Sequence, residues 1–217
     1  MSERLTTPQN ILEAVYTPGP IVQNEVGEAQ LLEGTNGDIL PFYLSFKDLH
    51  NYPLLRTELL QGLRNLIDVH NPRVQVIGGV QSGGASFAAP LAEQLQIPFA
   101  WVRGKKRDHG IPKVIDGASV YGKETVLVDD VATTSGSIIR DLIKYREAGA
   151  IVNTVIVGAI RNEVACTKLK NEYNVELYGH FNPSEIEGFT RGKMFQQDTL
   201  LLQRPLQELQ FHQLSGE

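Results

Sequence analysis

The residues best suited to chemistry lie in one run, Val126-Leu127-Val128-Asp129-Asp130-Val131-Ala132-Thr133-Thr134-Ser135-Gly136-Ser137. An apolar strand brings two carboxylates to its tip, and a small hydroxyl-rich loop then enters a helix. Backbone N–H groups at a helix start lie at the positive end of the helix dipole. Helped by the Thr and Ser hydroxyls, they form a cradle for a phosphate. Gly136 allows close approach to the backbone. Adjacent carboxylates beside such a cradle can accept hydrogen bonds from neighbouring sugar hydroxyls. The chemistry predicted is the binding of a sugar phosphate.

Two further segments suit an anion. Gly78-Gly79-Val80-Gln81-Ser82-Gly83-Gly84 joins a strand to a helix. Its glycines let backbone amides approach an anion, and Ser82 adds a hydroxyl donor. Arg103-Gly104-Lys105-Lys106-Arg107-Asp108-His109-Gly110 concentrates positive charge in a chain whose net charge is −5. It follows a strand ending at the same sheet edge and continues through Gly110, Pro112 and Gly117. This spacing predicts a lid able to close over a polyanion.

The run from Val126 to Ser137 resembles the signature of type I phosphoribosyltransferases. The resemblance implies that Asp129 and Asp130 hold the ribose hydroxyls of 5-phosphoribosyl 1-pyrophosphate (PRPP). It implies that the loop Ala132-Thr133-Thr134-Ser135-Gly136-Ser137 holds the 5-phosphate, and that Ser82, Gly83 and Gly84 form the pyrophosphate loop. From about residue 38 to 180 the chain is similar to orotate phosphoribosyltransferases. Their lid reads Arg-Lys-x-x-Lys-x-His-Gly. Arg103, His109 and Gly110 match it, Gly104 and Arg107 replace the two lysines, and Lys105 and Lys106 supply charge at shifted positions. Arginine keeps its proton and prefers fork-like contacts, so charge stabilisation there could survive where proton shuffling could not.

Arg161 corresponds to the arginine that holds the orotate base in that family, and Ile160 stands where an aspartate is usual. Ile39-Leu40-Pro41-Phe42-Tyr43 resembles the Ile-Ser-Pro-aromatic segment over the base, placing Phe42 and Tyr43 at the substrate. Thr35 stands where that family has a lysine. The resemblance implies transfer of phosphoribosyl from PRPP to orotate, with Mg²⁺ bound mainly through PRPP. Arg103, Lys106, Arg107, His109, Asp129 and Asp130 are the implied catalytic residues. A homodimer is implied, with the lid reaching the neighbouring site. Two alternatives stay open: a transferase for another base, and a non-catalytic PRPP-binding regulator or partner subunit.

The elements that must position these residues alternate strand and helix. Arg73–Val80, Ile97–Val102, Thr125–Val131, Ile151–Ile160 and Val175–Tyr178 read as strands. Tyr52–Val69, Gly84–Gln96, Ser137–Ala148 (closed by Gly149) and Glu163–Tyr173 read as helices. Such alternation predicts an α/β fold with a parallel, Rossmann-like sheet and ligands at the carboxyl ends of its strands. Residues 179–217 show no β/α rhythm. One domain over residues 1–217 is expected, with a core at about 50–178 and a hood from about 17–48 and 179–205.

Composition excludes little but directs the reading. Hydrophobic residues form 41% and charged residues 21% of the 217, as in an ordinary globular protein. The acidic balance gives no reason to expect a nucleic-acid or membrane partner. The apolar runs are too short to span a bilayer, and the amino-terminal residues lack the pattern of a signal peptide. A cytoplasmic protein is expected. Cys166, the single cysteine, cannot form an intramolecular disulfide.

Overall fold

The computed structural model describes residues 7–18, 21–23, 29–31, 42–103 and 114–202. In chain order the elements are α1 (Pro8–Val15), β1 (Tyr16–Pro18), β2 (Ile21–Gln23), β3 (Ala29–Leu31), β4 (Phe42–Leu44), a 3-10 helix (Phe46–Asn51) and α2 (Pro53–His70). There follow β5 (Val76–Gly79), α3 (Gly83–Leu95), β6 (Phe99–Val102), β7 (Ile115–Gly117), β8 (Glu124–Ala132) and α4 (Gly136–Glu147). The chain continues through β9 (Ile151–Ile160), α5 (Glu163–Tyr173), β10 (Glu176–Phe181) and α6 (Pro183–Leu202).

The main sheet runs β10-β9-β8-β5-β6-β7. Its strands pair in parallel from β10 to β6. β8 and β9 are apolar almost throughout because helices cover both of their faces. Period-two alternation divides their side chains. Val126, Val128 and Ile156 pack with Leu59, Leu63, Phe87 and Leu91 of α2 and α3. Leu127, Val155 and Val157 pack with Ile138 and Leu142 of α4 and Leu169 of α5.

Sequence order reverses between β5 and β8, since β6 lies on one side and β9 and β10 on the other. That reversal opens a crevice at the carboxyl ends of the two strands. The loop after β5 and the aspartates of β8 both lie there.

Local chemistry explains where helices start and stop. α2 begins at a proline and buries Leu59, Leu60, Leu63 and Ile67 at spacings that make one face. Asn162 caps α5 by accepting from the Val164 N–H at 3.1 Å. Gln96, Asn174 and Gly149 take positive φ just beyond α3, α5 and α4.

Two features depart from expectation. The sheet is mixed rather than wholly parallel, because Ile115–Gly117 returns antiparallel against Ala100–Val102. Gly117 (φ +86°) makes that return possible, since a Cβ there would lie 2.4 Å from the Phe99 carbonyl. Residues 183–202, for which no rhythm was visible, form α6. Its start is a reciprocal capping box: Asn182 Oδ1 accepts from the Glu185 N–H at 3.0 Å, and Glu185 Oε2 accepts from the Asn182 N–H at 2.8 Å.

Segments from both ends of the chain meet. β1 pairs antiparallel with β4. Tyr16 stacks on Phe42 at 5.9 Å and meets the Phe189 ring edge-on at 5.5 Å. Lys193 pairs with Glu13 at 3.0 Å. Among the described residues, no helix is long and apolar enough to cross a membrane.

Candidate active site

Asp129 and Asp130 lie near the carboxyl end of β8, which continues through Val131 to Ala132. Asp129 is 3% exposed. Its Oδ1 accepts from the Asp130 N–H at 2.9 Å, and the Ser137 hydroxyl donates to its Oδ2 at 3.3 Å. Burial, then the neighbouring Asp130 charge, hold the Asp129 carboxyl well above the usual carboxylate range. Asp130 Oδ1 accepts from the Val131 N–H at 2.9 Å. Two crowded carboxylates of this kind suit partners that bring hydrogen-bond donors or positive charge.

The loop between β8 and α4 turns on Ser135. Its φ of 59° and ψ of 14° are left-handed, a conformation that costs a side-chain-bearing residue roughly 1–2 kcal/mol. Ser135 is 3% exposed, and its buried hydroxyl has no hydrogen-bond partner among the described residues. It occupies the N-cap of α4 without its side chain capping the helix, and no acidic residue lies in the first turn. The conformational demand therefore falls on Ser135 rather than on Gly136. A Cβ at Gly136 would meet only Thr134 Oγ1, at 3.8 Å, so Gly136 contributes open space beside the helix start.

The second glycine loop packs directly against the aspartates. A Cβ on Gly83 would lie 2.1 Å from Asp130 Oδ2, and one on Gly84 would lie 2.1 Å from the Val128 carbonyl oxygen. Only glycine fits against the backbone at position 84, while a side chain at position 83 would force the Asp130 carboxylate to turn away. The Gln81–Ser82 peptide is cis. Lys47, on the 3-10 helix, brings its ammonium within 3.5 Å of Ser82 Oγ. The Gln81 N–H is held by Asp141 Oδ2 of α4 at 2.9 Å.

Lys47 and Asp141 were not among the sequence candidates. They lie 35 and 60 residues from their loop partners, and no local pattern links them.

Arg103 ends β6 at the same edge, and its N–H donates to the Val114 carbonyl at 2.9 Å. The two described ends of the basic segment thus meet at one edge of the sheet. The Arg103 guanidinium pairs with Asp116 of β7, Nε donating at 2.8 Å. Lys106, Arg107 and His109, with Gly104, Lys105 and Gly110, lie outside the described residues. So do Thr35 and Ile39-Leu40-Pro41.

A cavity of about 520 Å³ lies beside the loop that follows β8, lined by Phe42, Thr133, Arg161, Glu163, Glu187 and Thr190 among others. Three sequence candidates meet here. The Arg161 guanidinium sits over the Phe42 ring, 4.6 Å from its centre. The Arg161 N–H donates to the Ala132 carbonyl at 2.9 Å, tying the end of β9 to the phosphate loop. Burial lowers the Arg161 pKa, opposed by the nearby Tyr43. Tyr43 itself is exposed. Ile160 is buried in the core with α4 and α5, so the residue before Arg161 serves packing. The far wall of the cavity comes from α6.

The remaining titratable groups offer less. Among the described residues, no group of three or more His, Cys, Asp or Glu side chains gathers to hold a metal. Burial pushes the Cys166 thiol up, which keeps it protonated and unreactive.

Comparison with known proteins agrees with this geometry. The family model described as the phosphoribosyl transferase domain matches residues 46–178. The orotate phosphoribosyltransferase of Sulfolobus acidocaldarius is 34% identical over 152 residues, covering 70% of this chain and 75% of that protein. That of Staphylococcus aureus is 37% identical over 116 residues, covering 54% of this chain and 57% of the relative. The crystal structure of orotate phosphoribosyltransferase from Aeropyrum pernix superposes with a TM-score of 0.64 at 24% identity, covering 83% of this chain and 96% of that one. At that identity the likeness speaks for the fold. The chain belongs to the phosphoribosyltransferase family and carries a PRPP-dependent phosphoribosyltransferase domain.

Proposed function

We propose that this chain transfers the 5-phosphoribosyl group from PRPP to orotate, giving orotidine 5′-phosphate and pyrophosphate. The observation that carries the choice of base is Arg161 over Phe42, in a cavity that also reaches Thr133 of the phosphate loop. A guanidinium beside an aromatic ring suits a flat base bearing a carboxylate, which it can grip through two parallel hydrogen bonds.

In the reaction a base nitrogen donates its lone pair to the sugar C1 and gives up its proton to the departing pyrophosphate. The bond from C1 to the pyrophosphate oxygen breaks, and that oxygen keeps the electron pair. Positive charge builds on the ribose ring and negative charge on the leaving group, so preorganised charge and exclusion of water supply the rate. The Ala132–Ser137 loop and the first turn of α4 hold the 5-phosphate. Asp129 and Asp130 accept hydrogen bonds from the ribose hydroxyls. Ser82, Gly83 and Gly84 hold the pyrophosphate, with Lys47 beside Ser82. Arg103, Lys106, Arg107 and His109 cover the leaving group. To do so, Arg103 exchanges its bond to Asp116 for one to a phosphate.

The donor set fits Mg²⁺ bound chiefly through PRPP, because the two adjacent aspartates repel each other and a nearby cation relieves that repulsion. When bound, the ion neutralises charge on the pyrophosphate oxygens. The active unit we propose is a homodimer in which each lid reaches the neighbour's site.

A second reading, another base, draws on Glu163 and Glu187. Both line the same cavity as Arg161 and would suit a base that offers hydrogen-bond donors. A pyrophosphate-release assay with PRPP, Mg²⁺ and orotate, uracil, adenine or guanine separates the two. Release dependent on orotate alone is expected; release with another base and none with orotate would overturn the assignment.

A further inference from the structure

One face of α4 touches three separate parts of the site. Ser137, Asp141 and Tyr145 follow at intervals of four, so they stack along one side of the helix. The Ser137 hydroxyl donates to Asp129 Oδ2 on β8 at 3.3 Å. Asp141 Oδ2 accepts from the Gln81 N–H, just beyond β5, at 2.9 Å. The Tyr145 hydroxyl donates to the Ala100 carbonyl of β6 at 2.9 Å and lies 3.4 Å from the Gly79 carbonyl of β5. β8, β5 and β6 are neighbours in that order, so the helix lies across them.

Asp141 is the unusual member. It is fully buried, at 0% exposure. Its Oδ1 takes Lys144 Nζ at 3.0 Å and Arg140 Nε at 3.2 Å, while Arg140 Nη2 donates to the Gln81 carbonyl at 3.3 Å. Both backbone polar groups of Gln81 are therefore held from α4. Packing alone needs no carboxylate, since Ile138 and Leu142 already fill the core side of this helix. Burying a charged group is costly unless its contacts are satisfied, and these contacts converge on the residue just before Ser82-Gly83-Gly84.

We propose that Asp141 is a positioning residue for the pyrophosphate loop, fixing the Ser82–Gly84 amides from behind. Because α4 starts at the 5-phosphate loop, the same helix sets the spacing between the two anion sites. The proposal rests on Ser82–Gly84 being the pyrophosphate loop.

The test compares wild type, Asp141→Ala and Asp141→Asn by calorimetric titration with Mg²⁺-pyrophosphate and, separately, with ribose 5-phosphate. Asp141→Ala leaves the Gln81 N–H without its acceptor and should weaken pyrophosphate roughly tenfold, as for a lost charged hydrogen bond. Ribose 5-phosphate should change by less than about twofold. Asp141→Asn keeps an acceptor for Gln81 and should show a smaller loss, about threefold, again confined to pyrophosphate. Equal weakening of both ligands would mean a general structural role and overturn the proposal, as would unchanged pyrophosphate affinity in folded variants. If circular dichroism shows Asp141→Ala unfolded, Asp141→Asn decides by the same criterion. Wild type that fails to bind pyrophosphate would overturn the loop assignment itself, whereas failure confined to the variants overturns only the role of Asp141.

Discussion

Gly83 presses so closely on Asp130 that a Cβ on Gly83 would fall 2.1 Å from the carboxylate Oδ2. The Ser82–Gly84 loop and the aspartate pair are therefore packed against each other. Gly83→Ala should weaken PRPP binding by turning the Asp130 carboxylate aside, and Gly84→Ala, whose Cβ would fall 2.1 Å from the Val128 carbonyl oxygen, should lower stability by about 1–3 kcal/mol, the usual cost of overpacking. Gly136→Ala is the control, since a Cβ there meets nothing closer than 3.8 Å. It should leave the melting temperature unchanged or raise it slightly, because alanine favours a helix. Thermal melts of Gly84→Ala and Gly136→Ala would show whether the loop is pressed against β8 in this way; similar melts would contradict it.

Replacing both aspartates, as Asp129→Asn with Asp130→Asn, should nearly abolish PRPP binding while the circular dichroism spectrum stays native. Losing several hydrogen bonds to sugar hydroxyls should cost more than about 2 kcal/mol of binding. Calorimetric titration showing wild-type affinity would remove these carboxylates from the site.

The Asp129 carboxyl also gives a pH signature. Its pKa in the folded chain is raised by burial and by Asp130. The folded state therefore holds a proton that the unfolded chain has released, and stability falls as pH rises from the unfolded value, near ~4, toward the folded one. Asp129→Asn removes that loss. Without ligand, its melting temperature relative to wild type should rise as pH increases above about 4. A difference that stays flat or reverses would contradict the buried placement.

The shared lid can be tested by complementation. Asp129→Asn/Asp130→Asn subunits mixed with Arg103→Ala/Arg107→Ala subunits should recover partial activity, because one hybrid site combines intact parts. Background activity after demonstrated subunit exchange would place each lid over its own site.

The sequence made the chemistry legible where one segment carried it. The Val126–Ser137 run announced a strand, a carboxylate pair and a short loop into a helix, and all three lie where that order requires. It located the left-handed turn less well. Glycine is the usual choice for positive φ, and nothing local marks Ser135 as the residue that takes it.

Longer-range partners had no local mark. Asp141 looks like any helical acid until the fold brings Gln81 to it across 60 residues. β7 was missed because three residues carry no period, and its pairing is made by the sheet edge. α6 could have been found: Asn182-Pro183-Ser184-Glu185 spells a capping box. Its apolar stripe is weak, which hid the helix that walls the base cavity.

The placement of the base is tested most directly by steady-state kinetics of Arg161→Lys with orotate and PRPP varied in turn. Lysine keeps the charge but cannot make a two-pronged grip. KM for orotate should rise and kcat/KM for orotate should fall by about one to two powers of ten, the effect of losing one charged hydrogen bond. KM for PRPP should stay within about twofold, since Arg161 follows β9 while the proposed phosphate loop follows β8. A parallel rise in both KM values, or a wild type that ignores orotate, would contradict the assignment of Arg161 to the carboxylate of the base.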